Sequence, residues 1–164
     1  MNVAILGHGT VGGGVYRLLQ DRPDITVKYV LDKAPIAELG AVSVTDFSAI
    51  LEDGEVDTVV EVMGGLEPAF DYITAAMRAG KNIVTANKQL LAARYDELTA
   101  LARETGVGFR SSAAVGGGIP WLPNLQRLKR IGEVNEVCGI MNGTTNYILS
   151  MMHKKGYDYE SVLR

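Results

Sequence analysis

A glycine-rich turn close to the start of the chain has the spacing of an anion-binding loop. The apolar residues 3–6 predict a buried parallel strand that leads directly into Gly7, Gly9 and Gly12, and a helical pattern follows. In a G-x-G-x-x-G turn the first glycine permits the tight turn, the second lets backbone approach a pyrophosphate, and the third allows helix and sheet to pack closely. The N–H groups at the helix N-terminus then bind the anion. The turn therefore predicts a dinucleotide site.

An acidic residue follows at the distance that a ribose contact requires. Residues 25–31 predict the second strand, and Asp32 ends it about 20 residues after the glycines. A carboxylate at this position can accept a hydrogen bond from a ribose 2′-hydroxyl. A G-x-G-x-x-G pattern alone also occurs in ordinary turns between a strand and a helix, but the strand before it and Asp32 after it favour cofactor binding.

Two further predicted strands end in residues that can reach the same ligand. Residues 56–63 are β-branched and mostly apolar, as in a central parallel strand, and residues 82–85 predict a shorter strand. Taken singly, the residues at these ends have ordinary structural explanations: a turn for the glycine pair, a helix cap for the asparagine, and a solvated surface group for the lysine. Their shared position at strand ends favours a site. The candidates are Gly64, Gly65, Thr85, Asn87 and Lys88.

The elements between these segments predict how the candidate residues are positioned. Helical patterns begin after Gly12, near Pro68 and at Leu91, the last of them running to Thr105, and they alternate with the strands. The predicted fold class is α/β, a Rossmann-like doubly wound parallel sheet with right-handed crossovers. Ligands bind beyond the carboxyl ends of the strands in such sheets, so we expect the candidate residues to converge on one crevice.

The composition argues against several other classes of protein. The chain has a net charge of −3, an isoelectric point near 5.4 and no basic run interleaved with aromatic residues, which argues against a nucleic-acid surface. Its apolar runs are shorter than the roughly 18 residues of a membrane span, so we expect a soluble, cytoplasmic protein. The single cysteine, Cys138, excludes an internal disulfide, and its apolar neighbours predict a small core residue.

The glycine-dense residues 113–120 mark a change in the pattern of the chain. An amphipathic helix follows, residues 134–141 predict a strand, and Thr144 or Thr145 can cap a second helix. A last helical pattern has made only two turns when the sequence ends, which is typical of a piece of a longer protein. We predict two domains, at residues 1–130 and 131–164.

Several motifs occur in the order seen in homoserine dehydrogenases, and the chain resembles this family over essentially its whole length. The most specific motifs are T-A-N-K at residues 85–88 and N-G-T-T-N-Y-I-L at residues 142–149. The others are the glycine turn at residues 7–12, V-E-V-M-G-G at residues 60–65 and V-G-G-G-I-P at residues 115–120.

The resemblance implies the reversible, nicotinamide-dependent interconversion of L-homoserine and L-aspartate 4-semialdehyde, a step in threonine, isoleucine and methionine biosynthesis. It implies that Lys88 lies beside the nicotinamide and the substrate, that residues 131–164 begin an α+β substrate and dimerisation domain, and that the full-length protein is a homodimer. The family's principal acid/base lysine lies beyond residue 164. The implied cofactor contacts are Gly7, Gly9, Thr10, Val11, Gly12, Gly64 and Gly65, and the implied substrate contacts are Asn142, Gly143, Thr144 and Thr145.

One departure from the family pattern bears on the choice of cofactor. A basic residue commonly precedes the acid of the second strand in the family, and Leu31 stands at that position here. Asp32 repels a 2′-phosphate, so the chain should favour NAD over NADP, although Lys33 partly offsets the repulsion.

A second departure concerns an ion. Some family members bind a monovalent cation such as sodium mainly through backbone oxygens, and the matching residues here are Val115, Gly117 and Ile119. The family usually has a glutamate in this segment where the chain has Ser112.

Two other functions are compatible with parts of the sequence. Another Rossmann oxidoreductase, of the glucose–fructose or inositol dehydrogenase type, shares the strand followed by a lysine loop but does not explain residues 142–149. A non-catalytic dinucleotide-binding or sensor module is the other alternative.

Overall fold

A computed structural model describes residues 1–139 and 143–163 of the chain. They belong to two compact units, Met1–Gly117 and Gly118–Arg164. The domain boundary predicted between residues 130 and 131 remains a prediction, and the compact units divide at an earlier point of the chain.

The first unit is built on one six-stranded sheet in which every neighbouring pair of strands is parallel. The strand order is β3-β2-β1-β4-β5-β6, the order of a doubly wound dinucleotide-binding fold, so the predicted fold class is confirmed. The strands are β1 (Asn2–Leu6), β2 (Thr26–Leu31), β3 (Ser43–Val44), β4 (Thr58–Glu61), β5 (Asn82–Thr85) and β6 (Phe109–Arg110).

Four helices connect these strands, with short 3₁₀ segments at Ala37–Val42 and Ser112–Ala114. Gly106 ends the longest helix in a left-handed conformation (φ 73°), which glycine adopts without steric strain. The predicted start of that helix at Leu91 is wrong, because it begins at Lys88, directly after Asn87 as the N-cap. The helices are α1 (Thr10–Gln20), α2 (Ser48–Leu51), α3 (Ala69–Arg78) and α4 (Lys88–Thr105).

Apolar side chains cover both faces of the sheet. Successive residues of a strand point to opposite faces, so Ala4 and Leu6 of β1 lie in the core that includes α3 and α4, whereas Val3 and Ile5 face the side of α1. All four are buried. Because β1 is covered on both sides, its sequence is a continuous apolar run. Each fully buried leucine or isoleucine contributes about 1.5–3 kcal/mol to the free energy of folding.

The second unit contains helices α5 (Trp121–Leu128), α6 (Gly143–Lys155) and α7 (Tyr159–Leu163). The strand predicted at residues 134–141 is wrong for residues 134–139, which are irregular. A strand needs a hydrogen-bonded neighbour, and the described part of this unit contains none. Cys138 lies in this segment and is exposed, so its predicted place in a core is also wrong.

Helix α6 begins at Gly143, so Thr144 and Thr145 lie in its first turn rather than before it. Among the residues that the structure describes, no helix has both the length and the apolar character needed to cross a bilayer.

A cluster around Asp53 makes the stability of the first unit depend on pH. The ammonium of Lys28 lies 2.5 Å from the Asp53 carboxylate, the N–H of Glu55 donates to it at 2.8 Å, and the Tyr29 hydroxyl donates at 3.0 Å. The hydrogen bond from Lys28, followed by that from Glu55, lowers the pKa of Asp53 from 3.8 to about 2. The folded state therefore favours the ionised carboxylate.

We expect the chain to lose stability as the pH falls from about 4 towards about 2, because a lowered pKa contributes stability above the unfolded value that disappears below the folded value. In thermal melts across this pH range, the melting temperature of Asp53→Asn should fall less than that of the parent chain. Asp96→Asn, at an exposed position on α4, is the matched control and should melt like the parent. The same loss in Asp53→Asn and the parent would contradict the assignment.

Candidate functional site

Two adjoining cavities form a crevice at the carboxyl ends of the central strands. The larger, of about 520 Å³, is lined by the glycine turn together with Asp32 and Lys33 at the end of β2. The smaller, of about 380 Å³, is lined by residues that include Gly65, Asn87 and Lys88. Both cavities share Val62, Met63 and Gly64. The structure thus brings the predicted strand-end segments together along one edge of the sheet.

The glycine turn has the geometry that a bound pyrophosphate requires. Gly7 has a φ of 97°, which favours glycine, and its N–H donates to the Leu31 carbonyl at 2.8 Å. A Cβ on Gly12 would overlap the carbonyl group of Gly7, whereas a Cβ on Gly9 would meet no atom within 4 Å. Gly9 is the N-cap of α1 and supplies no side-chain cap, so the first turn of this helix can direct N–H groups at an anion.

Asp32 is held at the end of β2 by two backbone donors. The N–H of His8 donates to its Oδ2 at 2.8 Å, and the N–H of Lys33 donates to its Oδ1 at 2.7 Å. Each carboxylate oxygen can accept more than one hydrogen bond, so Asp32 can also accept one from a ribose hydroxyl in the larger cavity.

Lys88 lies at the other end of the crevice as the first residue of α4, and its side chain is exposed. The N-terminus of a helix carries partial positive charge, which adds to that of the ammonium. This end of the crevice therefore favours negative charge.

Three of the predicted cofactor residues, Thr10, Gly12 and Thr85, do not line the crevice. Gly12 is buried within α1. Thr85 is buried, and its hydroxyl donates to Oε2 of Glu61 at 2.5 Å. Thr10 is the exposed first residue of α1. Thr85 acts beneath the crevice rather than on its surface.

Glu61, at the end of β4, is a polar residue of this region that the sequence did not single out as a site residue. It is fully buried, and it accepts hydrogen bonds from the N–H of Met63 at 2.9 Å and from the Asn87 amide at 3.3 Å. Its signal in the sequence is an acid inside the apolar run of residues 59–63. Buried carboxylates are rare unless they are paired, so an acid in an apolar strand is a sequence signal for a structural or functional role.

The predicted substrate residues Gly143, Thr144 and Thr145 are exposed in the first turn of α6, and Asn142 lies outside the described residues. Of the predicted cation ligands, Val115 and Gly117 belong to the first unit and Ile119 to the second. Across the described residues, no cluster of three or more His, Cys, Asp or Glu side chains is placed to hold a metal ion.

Comparisons with known proteins identify the family. Residues 7–111 match the model described as homoserine dehydrogenase, NAD binding domain, and residues 120–164 match the model described as homoserine dehydrogenase. The chain belongs to the homoserine dehydrogenase family. The match to the NAD-binding domain indicates a nicotinamide dinucleotide as cofactor. The crevice fits this group, because Gly9 lines the larger cavity and its missing Cβ leaves open a space in which no atom lies within 4 Å.

Individual relatives agree with this assignment. The chain is 38% identical to a homoserine dehydrogenase of Bacillus subtilis; the match includes 100% of this chain and 41% of that protein. It is 42% identical to a homoserine dehydrogenase of Synechocystis, with 99% of this chain and 40% of that protein matched. A homoserine dehydrogenase structure from Thiobacillus denitrificans has a TM-score of 0.90 and 36% identity, and one from S. aureus has a TM-score of 0.76 and 34% identity. In both cases the likeness covers 99% of this chain and 41% of the other.

Proposed function

We propose that this chain forms the dinucleotide-binding part of an enzyme that interconverts L-homoserine and L-aspartate 4-semialdehyde, in the biosynthesis of threonine, isoleucine and methionine. The observation that carries the proposal is the crevice that runs from the glycine turn and Asp32 to Lys88. The family assignment supports the substrate.

The residues of the crevice have separate roles in this proposal. The glycine turn and the first turn of α1 bind the pyrophosphate, and Asp32 accepts hydrogen bonds from the ribose. Gly64, Gly65 and Asn87 border the nicotinamide end. When bound, the nicotinamide supplies or accepts the hydride of the reaction.

Lys88 stabilises the charge that develops on the substrate oxygen during hydride transfer. Negative charge develops on the aldehyde oxygen of the semialdehyde as the hydride arrives, and an ammonium beside that oxygen stabilises the charge and can deliver a proton. The exposed position of Lys88 at the N-terminus of α4 suits this role.

The cofactor we propose is NAD in preference to NADP. The carboxylate of Asp32 is fixed at the edge of the larger cavity, where it would accept a hydrogen bond from a 2′-hydroxyl and repel a 2′-phosphate. Lys33 also lines this cavity and offsets part of the repulsion.

The remaining roles follow the family resemblance. Substrate contacts come from residues 142–145. A monovalent cation such as sodium binds the backbone oxygens of Val115, Gly117 and Ile119. The full-length enzyme is a homodimer in the cytoplasm.

Calorimetric titration of the 164-residue chain with NAD and with NADP, beside an assay of homoserine oxidation, tests the proposal. We expect dinucleotide binding, with NAD bound more tightly. We expect poor turnover, because the resemblance places the family's principal acid/base lysine in a segment that these residues do not include. Failure to bind either dinucleotide would refute the cofactor role, and turnover at the rate of the family's enzymes would refute the need for that second lysine.

Replacing Lys88 with alanine, in an enzyme extended to the length of its relatives, should lower kcat about 100-fold or more, the range for removal of a general acid. Affinity for NAD should change little, so the loss should fall on turnover. Lys154→Ala, at another exposed lysine, on α6, is the matched control. Steady-state kinetics with unchanged kcat in Lys88→Ala would remove this residue from the mechanism.

A further inference from the structure

Glu61 is a buried carboxylate below the point where the two cavities meet. It ends β4 and has 0% exposure. In the described part of the chain, no lysine, arginine or histidine forms a salt bridge with it. Burial of an ionised group is unfavourable unless hydrogen bonds replace its water, so the partners of Glu61 must hold it.

These partners are donors from three different segments. The N–H groups of Met63 and Gly64 donate to Oε1 at 2.9 and 3.4 Å, and the Thr85 hydroxyl donates to Oε2 at 2.5 Å. The Asn87 amide donates to Oε1 at 3.3 Å. One carboxylate thus ties together the loop after β4, the end of β5 and the cap of α4.

Asn87 completes the connection between the loop and the helix. Its amide also donates to the Gly65 carbonyl at 2.7 Å, and its Oδ1 accepts the N–H of Leu90 at 3.1 Å, which caps α4. Its own N–H donates to the Thr85 hydroxyl oxygen at 3.0 Å, so the Thr85 proton is directed at Glu61. The loop therefore has a fixed position relative to the first residue of α4, which is Lys88.

The loop needs such a restraint. Gly64 and Gly65 both have a φ of 76°, and a Cβ on Gly64 would meet no atom within 4 Å, so neither a side chain nor tight packing holds this part of the loop. Two successive glycines have a large conformational freedom to lose. The hydrogen bonds to Glu61 and Asn87 restrict that freedom.

We propose that Glu61 is a positioning residue that fixes the Gly64–Gly65 loop and the Lys88 end of α4 in one arrangement for the nicotinamide half of the dinucleotide. This rests on the proposed function of the crevice. An acceptor-only carboxylate suits four donors, whereas the amide of glutamine would turn a donor towards one of them. Hydrogen bonds to the ionised group are also stronger than those to a neutral amide.

The test compares Glu61→Gln with the parent 164-residue chain by two measurements. In calorimetric titration the variant should bind NAD about tenfold more weakly, the difference between charged and neutral hydrogen bonds. Without any dinucleotide, the amides of Met63 and Gly64 should exchange hydrogen about tenfold faster by the same argument, while that of Ile5 in β1 should be unchanged. Glu104→Gln, at an exposed glutamate of α4, should match the parent in both measurements.

Thr85 provides a second pair of variants should Glu61→Gln fail to fold. Thr85→Val removes the hydroxyl that donates to Glu61 and should raise the exchange rates of Met63 and Gly64, whereas Thr85→Ser keeps the hydroxyl and should restore the parent rates. Parent-like binding and exchange in Glu61→Gln would overturn the proposal and leave the proposed function standing. Parent-like exchange in Thr85→Val would overturn it where Glu61→Gln cannot be measured.

Failure of the proposed function has a different signature. In that case the parent chain binds no dinucleotide, and the exchange rates of the dinucleotide-free chain still decide whether Glu61 restrains the loop.

Discussion

Replacing Gly12 with alanine should remove measurable dinucleotide binding and lower the melting temperature of the chain. The added Cβ would overlap the carbonyl group of Gly7 and lie 3.1 Å from Cγ2 of Val62. The Gly7 carbonyl is backbone and cannot rotate out of the way, so α1 must move away from β1. Overpacking of this kind costs about 1–3 kcal/mol. A displacement of about 1 Å at such a site weakens function about 100-fold.

Gly14→Ala is the matched control for this result. It adds the same methyl group two residues further along α1, where no atom lies within 4 Å of the new Cβ. Alanine is favoured over glycine inside a helix by about 1 kcal/mol, so this variant should melt at or above the temperature of the parent. Thermal melts and NAD titrations check both variants. Equal melting temperatures and equal NAD affinities of Gly12→Ala and Gly14→Ala would show that close packing at Gly12 is not needed for stability or for dinucleotide binding.

The second large effect concerns Asp32. Asp32→Asn should lower the affinity for NAD about tenfold, because a hydrogen bond to a charged acceptor is exchanged for a neutral one. The same change removes the repulsion of a 2′-phosphate, so the affinity for NADP should rise and the preference for NAD should narrow or reverse.

Parallel titrations of Asp32→Asn with NAD and NADP measure this preference directly. Glu38→Gln removes an exposed carboxylate that does not line the crevice, and its preference should equal that of the parent. Because the effect of Asp32 is electrostatic, raising the salt concentration should reduce the difference between the parent and Asp32→Asn with NADP. An unchanged ratio of NAD to NADP affinity would exclude Asp32 as a determinant of cofactor choice.

The first unit was predictable because local pattern and tertiary structure agree there. Residues 3–6 are apolar at every position, as expected of a strand covered on both faces, and β1 lies in the middle of the sheet. The alternation of strands and helices then left few possible topologies for the sheet, since the crossovers between parallel strands are right-handed. The strand order of the sheet follows from these constraints together with the glycine turn.

The second unit shows where the same reasoning fails. Residues 134–139 include Val134 and Val137, which suit a strand, but the segment is irregular, and Cys138 within it is exposed. Strand propensity describes how well a side chain suits a paired, half-buried surface. The residues themselves carry no information on whether a partner strand is present.

The candidate site divides in the same way. The positions of Gly7, Gly12 and Asp32 follow from short-range rules, because each depends on a turn or a strand end a few residues away. The convergence of Lys88 with the glycine turn follows from the general rule that strand ends meet at one edge of a parallel sheet.

The roles of Glu61 and Thr85 depended on distances that no local rule supplies. Glu61 looked like one polar residue in an apolar run, and Thr85 like a surface contact for the cofactor, yet they lie 24 positions apart and share a hydrogen bond. Local periodicity specifies the strands and the glycine turn because their energetics are short-range. Which buried donors surround a carboxylate depends on the pairing of β4 with β5, and therefore becomes visible only when the chain is folded.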